Sequence, residues 1–262
     1  MAEFWVALAA CATAILTLFS GFGLGTLLLP VFAIFFPIAI AVAATAVVHL
    51  ANNLFKLLLL GRYAHRDIVL RFGLPAAGAA FLGAYTLDRL AHLVPITTYA
   101  VAGHTHAITP VGLALGLLIA VFAILDLVPE RELFAVAPRH LWIGGLLSGF
   151  FGGLSGHQGA LRAAFLSRSG LDRDAFLGSS VTCAVLVDVA RLSVYGVGFF
   201  GHRFDALLNG DGRRLIIVAA LAAFTGSFVG ARLVRKVTLH ALQRCVAVGL
   251  LVLAAAIGSG LV

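Results

Sequence analysis

Long apolar stretches dominate this chain, at 4–36, 38–60, 69–90, 109–128, 141–166, 174–200, 215–234 and 239–262, with short polar linkers between them. A helix of about 20 apolar residues crosses the roughly 30 Å hydrocarbon layer of a bilayer. Six of these eight stretches have the length of a single crossing. Hydrophobic residues make up 61% of the chain and charged residues 11%, against roughly 45–50% and 25% in soluble domains. With a mean hydropathy of +1.08, the solvent for most of the surface has to be lipid. The expected class is an all-α polytopic protein of the cell (inner) membrane, with no separate soluble domain.

The net charge of +7 arises from 18 Lys/Arg against 11 Asp/Glu. In a membrane protein such an excess marks cytoplasmic loops, not a nucleic-acid site, and it also suits an anionic solute. Cys11, Cys183 and Cys245 lie inside apolar stretches without metal-ligand spacing, so they read as small core residues. Glu3 and the lack of a basic region before the first apolar run describe a retained segment, not a cleaved signal. Expected partners are a small anionic solute and membrane lipids; a homodimer is compatible with this reading. No nucleic acid, cofactor or metal is expected.

Two stretches are interrupted. As one helix, 4–36 would reach about 50 Å, too long for one crossing, and Gly21-Phe22-Gly23-Leu24-Gly25 breaks it, with Pro30 beyond. Stretch 141–166, at 26 residues also short enough for one tilted crossing, carries the run from Gly149 to Gly159. Clustered glycines weaken a helix and free backbone groups that lipid cannot satisfy, so such backbone must be buried in protein or line a cavity. The competing explanation is close helix packing through small residues.

The breaks correspond at an offset of 135 residues, with Gly21-Phe22-Gly23 on Gly156-His157-Gln158. In the stretch after each, Thr45, His49, Asn53 and Lys56 fall on Ser180, Ala184, Asp188 and Arg191. The shared spacing of +4, +8 and +11 keeps each set on one helical face. This is an internal repeat, with halves 1–128 and 129–262 of one membrane domain. If each broken stretch is a re-entrant hairpin, twelve Lys/Arg collect on one side, and Arg89, Arg203, Arg213 and Arg214 on the other. Eight plain crossings divide the same residues nine against seven. The positive-inside rule favours hairpins, with both termini outside the cytoplasm. Each half is then a glycine-broken helical hairpin plus three transmembrane helices, an odd number of crossings, and the two repeats are inverted.

Inverted repeats with broken helices place solute sites near the midplane. The expected substrate-binding residues are the stripes Thr45, His49, Asn53 and Lys56, and Ser180, Asp188 and Arg191. The breaks add Gly23 and Gly25 in the first half, and Ser155, His157, Gln158, Gly159 and Arg162 in the second. A half-helix opening near Gly159 aims amides at an anion, and an Arg fork suits oxyanions. Asp188 and Arg191, at i and i+3, also fit a purely structural pair. His49 or His157 has the chemistry for a coupling proton. His104 and His106 are too few for a metal site. The alternative is a transporter of another solute, such as a metal cation. More remote is a rhomboid-like intramembrane serine protease: Gly153-Leu154-Ser155-Gly156 has the GxSG form, but His202 and His240, at segment ends, lack the setting of a catalytic base.

The motifs GFGLGTLLLP at 21–30 and GGLSGHQGALR at 152–162, each followed by an amphiphilic span opening Ala43-Ala44-Thr45 or Gly178-Ser179-Ser180, resemble the sulfite exporter TauE/SafE family of bacterial and archaeal anion permeases. The resemblance covers nearly the whole chain. The second copy departs from it, with Ala164 or Phe165 where proline is frequent and His157-Gln158 in place of glycines. It implies transport of sulfite, sulfonates or related organosulfur anions, and no enzymatic activity. Reporter fusions test the topology: a periplasm-active reporter is expected to work at both termini, and a cytoplasmic C-terminus would refute the hairpin count.

Overall fold

The computed structural model describes residues 2–20, 24–101, 103–125, 140–167, 169–199, 210–233 and 239–261. The helices are α1 (Ala2–Ser20), α2 (Leu24–Ala33), α3 (Ile38–Leu60), α4 (Arg66–Ala91), α5 (Pro110–Leu125), α6 (Leu141–Ser155), α7 (Gly159–Leu166), α8 (Arg173–Phe199), α9 (Gly210–Leu233) and α10 (Leu239–Ser259). Among the described residues Ile38–Tyr63, Arg66–Ala91, Arg173–Gly196 and Gly212–Gly230 are long and apolar enough to cross a membrane, and shorter apolar helices accompany them. The chain is an all-α polytopic membrane protein.

Local chemistry sets several boundaries. Pro37 precedes α3 and Pro110 opens α5, where a missing N–H removes no helical bond. A π turn at Val69–Gly73 lies inside α4, next to Pro75, which offers no N–H to the Arg71 carbonyl. In the second broken stretch, α6 ends where Gly156 takes φ +85° and its N–H bonds the Gly152 carbonyl at 2.9 Å. The left-handed conformation is open to glycine without steric penalty. The chain then folds back, and the Phe165 ring near the end of α7 lies against Gly144 near the start of α6. Stretch 141–166 is therefore a helical hairpin and not one tilted helix. In the first half α2 likewise packs on α1; residues 21–23 between them, including Gly23, lie outside the described residues.

Part of the second glycine run has a different role from the break. Gly145, Gly149 and Gly153 recur every fourth residue and rest on Phe72, Ala76 and Ala80 of α4. A Cβ at Gly149 would stand 2.0 Å from the Ala76 carbonyl oxygen. These glycines let two backbones touch, as small residues do between membrane helices; only Gly156 turns the chain. The opposite side of the molecule repeats the arrangement, with α1 along α9 and Gly226 against the Cys11 backbone. Between these pairs, α3 and α8 run antiparallel, so that Gly178 meets Leu60 and Ala64 and the His65 amide donates to Ser179 Oγ at 2.8 Å.

The linker between α4 and α5 is not irregular. It forms an antiparallel hairpin of β1 (Thr97–Val101) and β2 (His104–Ile108), turning at Gly103 with φ +81°. Tyr99 Oη donates to the Ser259 carbonyl at 2.7 Å and His106 Nδ1 meets that of Gly260 at 3.2 Å, tying the hairpin to the end of α10. His106 is engaged there rather than beside His104.

Gly149→Ala is expected to destabilise the protein by roughly 1–3 kcal/mol, because overpacking must part α4 and α6. Gly78→Ala, with nothing within 4 Å of the added carbon, is expected to be neutral or mildly stabilising. Thermal unfolding in detergent measures both, and equal melting temperatures for the two variants would refute the packing role.

Candidate functional site

The two polar stripes meet. α3 and α8 cross with Asn53 opposite Asp188, residues 135 apart in sequence, and Asn53 Nδ2 donates to Asp188 Oδ2 at 3.0 Å. The same oxygen stands 2.6 Å from His49 Nδ1. Asp188 Oδ1 accepts from Arg191 Nη2 at 2.7 Å and from Gln158 Nε2 at 3.3 Å. Asp188 and Arg191 are both fully buried. A carboxylate carries about four lone-pair sites, and here four donors occupy them, drawn from α3, α8 and the break between α6 and α7. The Asp188–Arg191 pair expected at i and i+3 is present, as part of this larger network.

Gln158 links the network to a second group. Its Oε1 accepts from Arg162 Nη1 at 3.0 Å, and Arg162 Nε donates to Ser180 Oγ at 2.8 Å. Ser148 Oγ holds the Gln158 carbonyl at 3.0 Å, fixing the break. Lys56, half-buried on α3, lies within electrostatic reach of Arg162 and has no ion pair or hydrogen bond among the described residues. Arg162 reaches Asp188 electrostatically but is not in salt-bridge contact with it. The described centre therefore holds three side-chain cations, Lys56, Arg162 and Arg191, against the single carboxylate of Asp188. Charge in the hydrocarbon layer costs at least about 2.5–3.5 kcal/mol per residue on insertion scales, so an excess of this sign calls for an anion or a watery cavity.

The start of α2 touches the second break. A Cβ at Gly25 would lie 3.3 Å from the Gly156 carbonyl oxygen and 3.7 Å from Thr45 Cγ2, and one at Gly156 would lie 2.9 Å from Arg191 Nη1. Around this contact Thr45 Oγ1 and Arg191 Nε are buried without a hydrogen-bond partner among the described residues. Buried polar atoms without partners are rare in folded proteins and call for an explanation such as an ion or a water. Gly159 opens α7, so the first amides of that helix have no partner within it.

Ser155 and His157 sit beside this group but face elsewhere. Ser155 Oγ donates to the Phe151 carbonyl at 3.1 Å and lies 3.0 Å from His157 Nδ1, while the His157 ring stacks on Phe122 with centroids 5.6 Å apart. His202 lies outside the described residues, as does the side chain of His240.

Sequence reasoning missed Tyr195, whose hydroxyl donates to the Gly153 carbonyl. It lies four residues beyond Arg191, one further turn of the same stripe, and extending the period would have found it. It also missed Asn52, whose Oδ1 accepts from Ser227 on α9 at 2.8 Å. Asn52 stands off the stripe, and no periodicity points to it.

The family model of the sulfite exporter TauE/SafE matches residues 6–257. The chain belongs to this family. No curated protein and no solved structure matches it. Family membership makes the protein a membrane transporter of the anion-exporter type, with a small anionic solute as its partner.

Asp188→Asn strips the network of its negative charge and leaves Arg191 buried and unpaired. Breaking a buried pair in this way costs about 3–5 kcal/mol, whereas replacing both partners by apolar residues is often neutral. Asp188→Asn is therefore expected to lower the unfolding temperature in detergent further than Asp188→Leu combined with Arg191→Met. The reverse order would contradict the assigned pairing.

Proposed function

We propose that this TauE/SafE protein carries a small sulfur oxyanion or sulfonate across the inner membrane by alternating access. The anion sits between Arg162, Lys56, Ser180, Gln158 and the opening amides of α7, beside the contact of α2 with the second break. The observation that carries this reading is the charge imbalance at the buried centre: Asp188 is already engaged by four donors, while Lys56 has no partner among the described residues. A metal cation would meet that same excess of positive charge and a carboxylate already fully engaged. The planar guanidinium of Arg162 suits an oxyanion by its fork of donors, and the positive end of α7 adds to the attraction. Thr45 Oγ1 and Arg191 Nε are two more unpartnered donors near the same contact.

Alternating access draws support from the relation between the halves 1–128 and 129–262. Helices α2 and α7 begin at Leu24 and Gly159, and α3 and α8 at Ile38 and Arg173, each pair 135 residues apart. The first helix of each half packs on the fourth helix of the other, α1 on α9 and α6 on α4. Two inverted repeats interlocked in this way let one half rock against the other around a central site. In this reading both termini lie outside the cytoplasm.

Binding of sulfite, thiosulfate and a sulfonate to the purified protein tests the assignment. Losing a charge-assisted hydrogen bond forfeits about 1.5–3 kcal/mol, so Arg162→Ala is expected to weaken binding roughly 10- to 100-fold. Unchanged affinity in that variant would sink the anion seat.

A further inference from the structure

His49 is not among the side chains of the proposed seat; its polar contacts are with Asp188 and Asn53. It is nonetheless one of the closest links between the halves: its Nδ1 lies 2.6 Å from Asp188 Oδ2, with His49 4% exposed and Asp188 fully buried. A contact this short to a carboxylate places a proton on Nδ1. The Asn53 amide, 3.0 Å from both that nitrogen and Oδ2, then serves the carboxylate. Among the described residues both polar contacts of the ring run through Nδ1. Nε2 is left with its lone pair as the atom open to a proton.

The charged groups within reach of His49 are Asp188 and Arg191 on α8 and Arg162 on α7. From α2, α4, α5 and α9, which also touch α3, no titratable group reaches it among the described residues. On its own helix Asn53 is neutral, and Lys56 lies two turns on. Asp188 favours a proton on His49, while Arg191 and Arg162 oppose it, and in the empty site that proton adds a positive charge to a centre already in positive excess. An anion seated between Arg162 and Lys56 cancels that opposition.

We propose that the His49–Asp188 pair is a proton-binding site coupled to the anion, so that the transporter moves a proton together with its solute. The inference rests on the anion seat proposed above. As the anion arrives, the Nε2 lone pair forms an N–H bond with a proton delivered by water. The imidazolium keeps its contact with Asp188, and no electrons are exchanged. When the anion leaves, that N–H bond breaks and the proton returns to water. Linkage is reciprocal, so the bound proton tightens the hold on the anion by the factor with which the anion tightens the hold on the proton. Because the pair bridges α3 and α8, one from each half, rearrangement of the halves alters the contact and with it the release of the proton.

Calorimetric titration of the purified full chain in two buffers of different ionisation enthalpy, at one pH, counts the protons taken up on binding. Sulfite, thiosulfate and methanesulfonate serve as probes; the last two keep their charge across neutral pH, and the sulfite heats are corrected for its own proton exchange. The wild type is expected to take up about one proton per anion and to lose affinity by up to about tenfold per pH unit once His49 deprotonates. His49→Gln, fixed neutral, and His49→Lys, fixed positive, are expected to bind with no proton uptake and with an affinity independent of pH. Anion binding by the wild type without proton uptake would overturn the proposal and leave the anion seat standing, as would undiminished uptake in either variant. If no probe binds the wild type, the anion seat itself fails and this inference falls with it. Should neither variant fold, the wild-type proton count and pH profile still decide whether a proton accompanies the anion.

Discussion

One carboxylate holds the centre of this protein together. Asp188 is ionisable and wholly buried in a segment that crosses lipid, where an isolated charge is costly. It is tolerated because donors converge on it from α3, from its own helix and from the break after α6. This demand propagates outward. Gln158 must sit where its amide reaches Asp188, so the chain has to leave helical geometry at Gly156, and the Ser148 hydroxyl fixes the turn by holding the Gln158 carbonyl. Arg162, one turn into α7, is then carried to Ser180.

That convergence requires the backbones to come close, and the glycines supply the closeness. Gly145, Gly149 and Gly153 bring α6 onto α4, Gly178 brings α8 onto the end of α3, and Gly226 brings α9 onto α1. Between apolar helices in lipid there is no hydrophobic drive to associate, so tight van der Waals contact and interhelical hydrogen bonds have to do the holding. The glycine-rich composition and the polar centre are thus two sides of one solution: small residues close the helices, and the closed helices give Asp188, Asn52 and Asn53 their partners.

The three cationic groups have different standing in this arrangement. Arg191 is locked to Asp188 and to the Gly152 carbonyl, which gives it a structural duty whatever else it does. Arg162 is bonded only to neutral groups, Ser180 and Gln158, and Lys56 to none of the described residues.

The amino-acid sequence by itself determined the lipid environment, the number and placing of the apolar stretches, the glycine runs that interrupt two of them and both polar stripes. Each of these follows from local periodicity or composition, which need no knowledge of what lies across the helix. Family membership was legible for the same reason, since the motifs that carry it are contiguous. Tertiary structure alone decided that the two stripes face each other, that Asn53 and His49 are partners of Asp188, that the His157 ring stacks on Phe122, and that Gly149 and Gly153 of the second glycine run are packing surface. It also decided that the stretch between α4 and α5 pairs as strands and docks on the end of α10. Apart from the strand pairing, whose partners lie 3 to 11 positions apart, each of these depends on contacts between residues from about 30 to 160 positions apart, and the crossing geometry that creates them is set by which backbones can approach, not by the pattern along any single helix.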